Sequence, residues 1–490
     1  MSQSVVSLTV ILSIVVLGSA VAFYAGSRYK TDLEQWTVAG RGLGLVMVWV
    51  LTAGEGYTTF SFLGASGWAY SRGGPVLYVL ADITLAYVVS FYILPPIWET
   101  GRKYGLQTES DFFRRRYNSK YLAAFVTLVG VIFIIPYLQV QLTGLGIIVE
   151  VAGFEGISHT MAMVIASILV AAFVLASGVR AVAWVSVLKD ILMLFAALFI
   201  GIGIPYIYFG GIGHMFVALA QTHSAHLVMP GATKNMGHAW FISTVLLTSF
   251  GFYMWPHVFA ACFTAESGDT LRHNAVFMPL YTLVLPFIFF VGFAAILVVL
   301  GLRNGDLALL VMVRRTFPPW FLGVIGGAGA LTAMVPASSL ILTAATLLAK
   351  NLFRPAFAPA MTDDRVVKLA KVLAVVTTGI ALYFAIYSSS TLVGLLLMGY
   401  DGVAQFLPGV VLGLYWKRVT MVGVFAGLVL GLVTIAFLIL GKMDPFMGLN
   451  AGFFALCINF LFTVVVSFLT PSEPSGFEHL RVAKETPTAS

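Results

Sequence analysis

Gly54-Glu55-Gly56 sets a carboxylate between two glycines inside the apolar stretch Val46 to Tyr70, VMVWVLTAGEGYTTFSFLGASGWAY. The flanks of that stretch have the composition of two halves of a membrane-spanning helix, and the middle does not. Glycine weakens a helix by roughly 1 kcal/mol against alanine. A charge at the bilayer centre costs roughly 3 kcal/mol or more. The pattern therefore works against stability and points to function. In one reading the helix breaks here and its open backbone lines a polar cavity, with Glu55 exchanging a proton or holding a cation. In the other, Glu55 forms a structural bridge to a buried Lys or Arg. Tyr57, Thr58 and Thr59 follow the break and can bind a polar ligand together with Gly56.

Other polar residues lie in apolar runs: Asp82, Gln139, Gln141, Lys189, Asp190, His257, Asp401 and Gln405, with Ser338 and Ser339 just after Pro336. Asp82 and Asp401 fall nearer span ends, where solvation is expected. His257 follows Pro256 and is expected to be a buried neutral histidine donating to a carbonyl. Lys189 and Asp190 are neighbours on one helix and point apart by about 100°, so at least one needs a partner elsewhere.

The elements that must position these groups are helices. The chain is 60% hydrophobic and 10% charged, with a mean hydropathy of +0.97, against about 25% charged residues in a soluble domain. It reads as an all-α polytopic membrane protein, since a β-barrel needs alternating strands of about ten residues. A window of about 20 residues finds about thirteen spans: 5–25, 43–69, 75–98, 121–150, 159–178, 183–209, 239–264, 275–301, 319–349, 366–388, 391–415, 420–441 and 447–469. The tenth and eleventh nearly merge at Ser388-Ser389-Ser390. The first has no basic leader or cleavage site and is expected to be retained. Arg and Lys cluster in alternate loops (Arg28, Lys30 and Arg41; Arg102 to Lys120; Arg272; Lys350 to Lys371; Lys417 and Arg418). That bias puts the N-terminus outside and the C-terminus in the cytoplasm. The tail from Pro471 is polar and expected to be disordered, and the loop from Gly210 to His238 is a candidate external lid. Gly423, Gly427 and Gly431 form a small-residue stripe suited to helix packing. The net charge of +7 belongs to membrane-facing loops and does not indicate nucleic acid. Cys262 and Cys457 suggest neither a disulfide framework nor a metal site. No P-loop, zinc motif or nucleophile elbow is present, so transport would draw on an ion gradient.

Four segments resemble the sodium:solute symporter family. They are Thr108 to Phe113 with Arg115-Arg116-Tyr117; Gln141-Leu142-Thr143-Gly144; Gly178 to Trp184; and Phe406-Leu407-Pro408 through Tyr415-Trp416-Lys417-Arg418, followed by Gly423 and Gly427. Pro256-His257 also matches the family's seventh span. The order and spacing of these segments across residues 40–431 carry the resemblance. It implies a leucine-transporter-type core of two inverted five-helix repeats, 43–209 and 239–415, with a leading helix (1–27), two trailing helices (420–469) and a cytoplasmic tail (470–490). The broken helices would be Val46–Tyr70 and its mate near Ala239–Ala265.

Departures from the family pattern bear on the ion. The family's sodium site takes backbone carbonyls at the first broken helix and a hydroxyl pair on the ninth span. Ungapped alignment puts Val335 and Pro336 at that pair, and Thr332, Thr58 and Glu55 at carbonyl positions. The family's Trp-Thr-Asp on the sixth span, whose Asp lies on the sodium exit path, reads Trp184-Val185-Ser186. Two hydroxyls are lost and one carboxylate is gained, which favours a proton; a one-turn slip would instead bring Ser338 and Ser339 to a sodium ion beside Glu55.

The resemblance implies a symporter in a bacterial inner membrane, not an enzyme, with no organic cofactor and H+ or Na+ as coupling ion. The solute is expected to be a small monocarboxylate, with Na+-coupled amino-acid transport and a transporter-like sensor as alternatives. Its pocket would draw on Gly56, Tyr57, Thr59, Gln141, Phe252, Tyr253, Trp255 and Gln405. Ser186, Lys189, Asp190 and Asp401 are candidates for the ion path or for structural polar roles, and Lys189 could lend a positive charge to the cavity. The partners are the solute and the lipid bilayer, with no nucleic acid; the sequence does not give the oligomeric state, and a monomer is consistent with it.

Overall fold

The computed structural model describes residues 2–26, 33–154, 156–176, 179–233, 235–387, 390–471 and 476–477. Ser388, Ser389 and Gly178 lie outside the described residues. Helices carry almost all of the rest. Ten are long and apolar enough to cross a membrane, and a bent pair, His238–Met254 with Pro256–Cys262, makes an eleventh. The remaining two expected spans are Leu45–Ser71, which is interrupted, and the shorter His159–Ala176. The protein is an integral membrane protein built of helices.

Each five-span set opens with a broken helix. In the second span, Leu45–Gly56 stops, Tyr57 turns extended (ψ 93°), and the chain resumes as a π-helix over Phe60–Gly64 that runs into Ala65–Ser71. Side chains start the second half: the Ser61 hydroxyl accepts the Thr58 N–H at 2.9 Å, and the Thr58 hydroxyl accepts the Phe60 N–H at 3.2 Å. In the seventh span, His238–Gly251 tightens into one 3₁₀ turn, Phe252–Met254, and restarts at Pro256 with a 57° bend. The residue before a proline is driven extended, as Trp255 is (ψ 124°), and proline suits the first position of a helix.

The ends of the two broken helices near Leu43 and Thr264 are tied together. Leu43 N–H donates to Thr264 O at 3.0 Å and Glu266 N–H to Leu43 O at 3.1 Å. A short helix, Glu109–Tyr117, links neighbouring spans. Its Asp111 completes a capping box with Thr108, and also takes Lys350 Nζ at 2.6 Å and Asn351 Nδ2 at 2.8 Å from the end of the ninth span. Arg116 and Tyr117 of the same helix donate to the Gly413 and Gly409 carbonyls of the eleventh. Two carboxyls of this helix have opposite fates. Burial pushes Glu109, whose oxygens have no hydrogen-bond partner, well above the usual range. Burial is also the largest influence on Asp111, but Lys350 together with the hydrogen bonds from Gln107 N–H and Asn351 outweighs it and holds that carboxyl low.

The segment expected to be a lid has structure of its own where it is described. Ile212–Thr222 is a helix, and the following turn lays the His226 backbone against Gly73, whose φ of +74° suits glycine. Asp306, between the eighth and ninth spans, accepts the Leu392 N–H at 3.0 Å.

The trailing helices, Met421–Leu440 and Ala451–Leu469, pack through the glycine stripe: Gly423, Gly427 and Gly431 face Ser467, Thr463 and Asn459. This is helix packing within the chain, as expected. Gln405 joins that seam, with Asn459 Nδ2 donating to its backbone and side-chain oxygens at 2.8 and 3.1 Å. Asp82 and Asp401, expected near solvated ends, are each 4% exposed. Other spans cover them: the Ser249 hydroxyl of the seventh span donates to Asp82 O at 3.0 Å, and Gly452 at the start of the last span lies against Asp401.

Gly292 of the eighth span lies where a Cβ would meet the Ser66 carbonyl and Ala69 of the outer half-helix. Gly292→Val should therefore lower the midpoint of thermal unfolding in detergent by several degrees, since overpacking costs about 1–3 kcal/mol. Gly379→Ala, which meets open space, should leave that midpoint unchanged or raise it.

Candidate functional site

A helix that ends in mid-membrane leaves its last four carbonyl oxygens without helical partners. At Ala53–Gly56 each oxygen is claimed by a separate donor. Ala53 O accepts the Tyr57 N–H at 2.9 Å, Gly54 O accepts Lys189 Nζ at 2.7 Å, Glu55 O accepts the Tyr137 hydroxyl at 3.1 Å, and Gly56 O accepts the Ser61 hydroxyl at 3.3 Å. The Lys189 ammonium is fully buried and also lies 3.5 Å from Asp190 Oδ1. The negative end of the helix dipole suits a cation there. Lys189 is thus spent on the break and is not free to charge a cavity. The two neighbours do face one another, while Lys189 also reaches another helix.

The Glu55 carboxylate takes a different partner. Its Oε2 lies 3.2 Å from His257 Nε2, with the two side chains 3% and 1% exposed. The pairing is with a histidine and not with Lys or Arg. His257 makes no hydrogen bond to a carbonyl, contrary to expectation, because Pro256 starts a half-helix that aims the ring at the other break. Glu55 Oε2 and both His257 ring nitrogens lack a hydrogen-bond partner of good geometry. The pair joins the two broken helices directly.

Beside it, Gln141 reads the other end of the first break. Its Oε1 accepts from the Thr59 hydroxyl at 2.9 Å and the Thr59 N–H at 3.4 Å, and its Nε2 is buried without a partner. An amide pinned by its oxygen presents two N–H donors. Tyr57 donates to Tyr281 O at 2.6 Å, and the two rings meet edge to face at 4.2 Å. Gly56 faces the Tyr87 hydroxyl. Trp255 packs on Tyr137, Tyr400 and His257 at 4.7, 5.3 and 5.9 Å. Phe252 and Tyr253 sit in the 3₁₀ turn of the second break, both buried.

The structure thus brings Glu55, Gly56, Tyr57, Thr58, Thr59, Gln141, Lys189, Asp190 and Trp255 to one region. It sets Gln405 and Asp401 apart: Gln405 Nε2 donates to Asp401 O and Gly452 O, on the side of the trailing helices. Gln139 donates to Phe384 O. Thr332 and Ser338 spend their hydroxyl protons on the helix carbonyls four residues back, and Ser186 does the same. Ser338 is buried, Ser339 only partly. Sequence reasoning missed Ser61, Tyr87, Tyr137, Tyr281 and Tyr400, since a single hydroxyl in an apolar run gives no sign of facing a break.

The description of the sodium:solute symporter family matches residues 36–431. The chain belongs to that family. The symporter is 43% identical over 483 residues to an uncharacterized symporter, YhjB, of Bacillus subtilis, covering 96% of this chain and 98% of that one. It is 27% identical over 487 residues to a monocarboxylate transport permease protein of Rhizobium johnstonii, covering 95% and 97%. Its fold matches a substrate-bound, outward-open Na+-coupled sialic acid symporter with a TM-score of 0.80 at 17% identity, over 97% of this chain and 99% of that one. A nucleobase–cation symporter in a closed conformation matches with a TM-score of 0.57 at 13% identity, over 91% and 97%. The leucine-transporter-type core is therefore the fold of this symporter, and its class is solute transport, not enzymatic catalysis.

Lys189→Met keeps the length of the side chain and removes the donor to Gly54 O. An unsatisfied buried carbonyl costs about 1–3 kcal/mol, so this variant should unfold at a lower temperature in detergent than the unsubstituted symporter.

Proposed function

We propose that this symporter moves a small organic carboxylate, a monocarboxylate first, into the cell together with a proton. It does so across a bacterial plasma membrane, with its N-terminus outside. The observation that carries the ion is the Lys189 ammonium on Gly54 O. A sodium ion needs a cage of hard oxygens. Here the Glu55 carbonyl already accepts the Tyr137 hydroxyl, the Ser61 hydroxyl is shared between the Gly56 and Thr58 carbonyls, and the ammonium occupies the Gly54 carbonyl. The ungapped alignment puts Val335-Pro336 at the family's hydroxyl pair, and the Ser338 hydroxyl that a one-turn slip would bring in donates to Met334 O.

A count of charges supports a single proton. The side chains around the break are Glu55, Asp190, Lys189 and His257, with the Tyr57, Tyr87, Tyr137 and Tyr281 hydroxyls about them. With Lys189 charged, both acids ionised and His257 neutral, the set carries one negative charge, and one proton shared by Glu55 and His257 cancels it. Both helix dipoles favour the neutral pair: Glu55 sits at a helix C-terminus and His257 near an N-terminus. The buried Gln141 amide, with donors to spare, suits a carboxylate solute. The monocarboxylate permease relative supports the same class.

Sodium is the second reading, favoured by the family's description and by the unpartnered Glu55 Oε2. In proteoliposomes, an inward pH gradient without sodium should drive accumulation of labelled lactate, pyruvate or acetate. Accumulation that needs sodium and ignores pH would refute the proton. Glu55→Gln should still bind and exchange the solute but fail to concentrate it; full concentrative uptake by that variant removes Glu55 from the mechanism. Lys189→Ala vacates Gly54 O, so sodium should stabilise this variant against heat while leaving the parent unmoved.

A further inference from the structure

The polar tail contains one aromatic residue, Phe477, and it is 6% exposed. Its ring stacks on Tyr104, at the end of the third span, with centroids 5.5 Å apart and an interplanar angle of 17°. It meets Phe112 of the Glu109–Tyr117 helix edge to face at 5.2 Å. The adjoining Gly476 N–H donates to Arg116 O at 3.1 Å, and a Cβ at Gly476 would collide with the Arg115 carbonyl. The Arg115 guanidinium lies 4.4 Å from the centroid of the same Tyr104 ring. A side chain from a segment of disordered composition is therefore held by two aromatic contacts and a backbone hydrogen bond.

The residues it touches belong to the inner closure. Phe112 packs on Phe259 of the inner half of the seventh span at 5.7 Å, and Phe259 packs on Phe263. Phe112 also sits in the helix that Asp111 binds to the ninth span and Arg116 to the eleventh. For the cytoplasmic pathway to open, the inner half of the seventh span must part from that helix. Phe477 adds apolar contact on the closed side of that equilibrium, and a ligand shifts a two-state equilibrium by its differential affinity for the two states.

We infer that the segment at Gly476–Phe477 is a built-in ligand for an aromatic cradle of Tyr104 and Phe112, and that its seating holds the inner pathway closed. This does not depend on which ion is coupled or which solute is carried.

Cys262, 3% exposed on the inner half of the seventh span, is a native reporter of opening, and the exposed Cys457 is removed as Cys457→Ser. The full-length symporter in proteoliposomes is treated with a membrane-permeant maleimide and the rate of Cys262 alkylation is read. Phe477→Ala should raise that rate roughly tenfold, the shift expected from losing one buried aromatic anchor. Gly476→Val, which dislodges the tail without touching the cradle, should do the same. Phe477→Tyr should keep the parent rate, and a synthetic peptide of residues 471–490 added from the cytoplasmic side should slow alkylation of Phe477→Ala. A rise in either variant, reversed by the peptide, supports the cradle. Rates equal to the parent in both variants, or a rise that the peptide leaves unchanged, overturn it.

Discussion

Four carbonyl oxygens at the end of a half-helix, out of reach of water, set the terms for much of this protein. Hydrocarbon offers them nothing, so each must be met from within. The chain meets them from three helices and its own turn: an ammonium from the sixth span, a phenol from the fourth, a serine from the restarting helix and a local backbone amide. Those contacts hold the sixth and fourth spans against the first break. They also place the Lys189 ammonium beside Glu55, whose carboxylate faces His257 of the second break.

The second break is connected to the first by chemistry and by packing. His257 faces Glu55 because Pro256 starts a new helix there, and Trp255 fills the space between Tyr137 and Tyr400 because the residue before a proline is extended. Farther in, the backbone bonds between Leu43, Thr264 and Glu266 join the same two half-helices. The Glu55–His257 contact and these backbone bonds therefore join the same two elements at two separate points.

Much of this was legible in the sequence, because the signals were costly ones. A Gly-Glu-Gly in an apolar run and a proline in another located both breaks, and the order of weak family motifs gave the fold. What could not be read were the partners. Lys189 and His257 each stood out as polar residues in lipid, but their destinations depend on helix rotation to within a fraction of a turn. Tyr137 and Ser61 gave no signal, since a hydroxyl satisfied on its own helix looks the same in sequence as one that closes a break. Gln405 misled for the same reason: its spacing allowed the pocket, and Asn459 on a trailing helix claimed it. Phe477 is a lone aromatic in a polar tail, too short a pattern to suggest burial.

The trailing hairpin takes on a mechanical meaning from that last contact. Gln405 stands at the joint of the eleventh span, between Leu392–Val403 and Leu407–Tyr415, and Asn459 grips both its backbone and its side chain there. The glycine stripe brings the twelfth and thirteenth spans close enough to make the hairpin stiff. The hairpin is thus a splint across one joint of the core. The joints of the second and seventh spans have no such splint and are bridged instead by one buried acid and one buried base, Glu55 and His257.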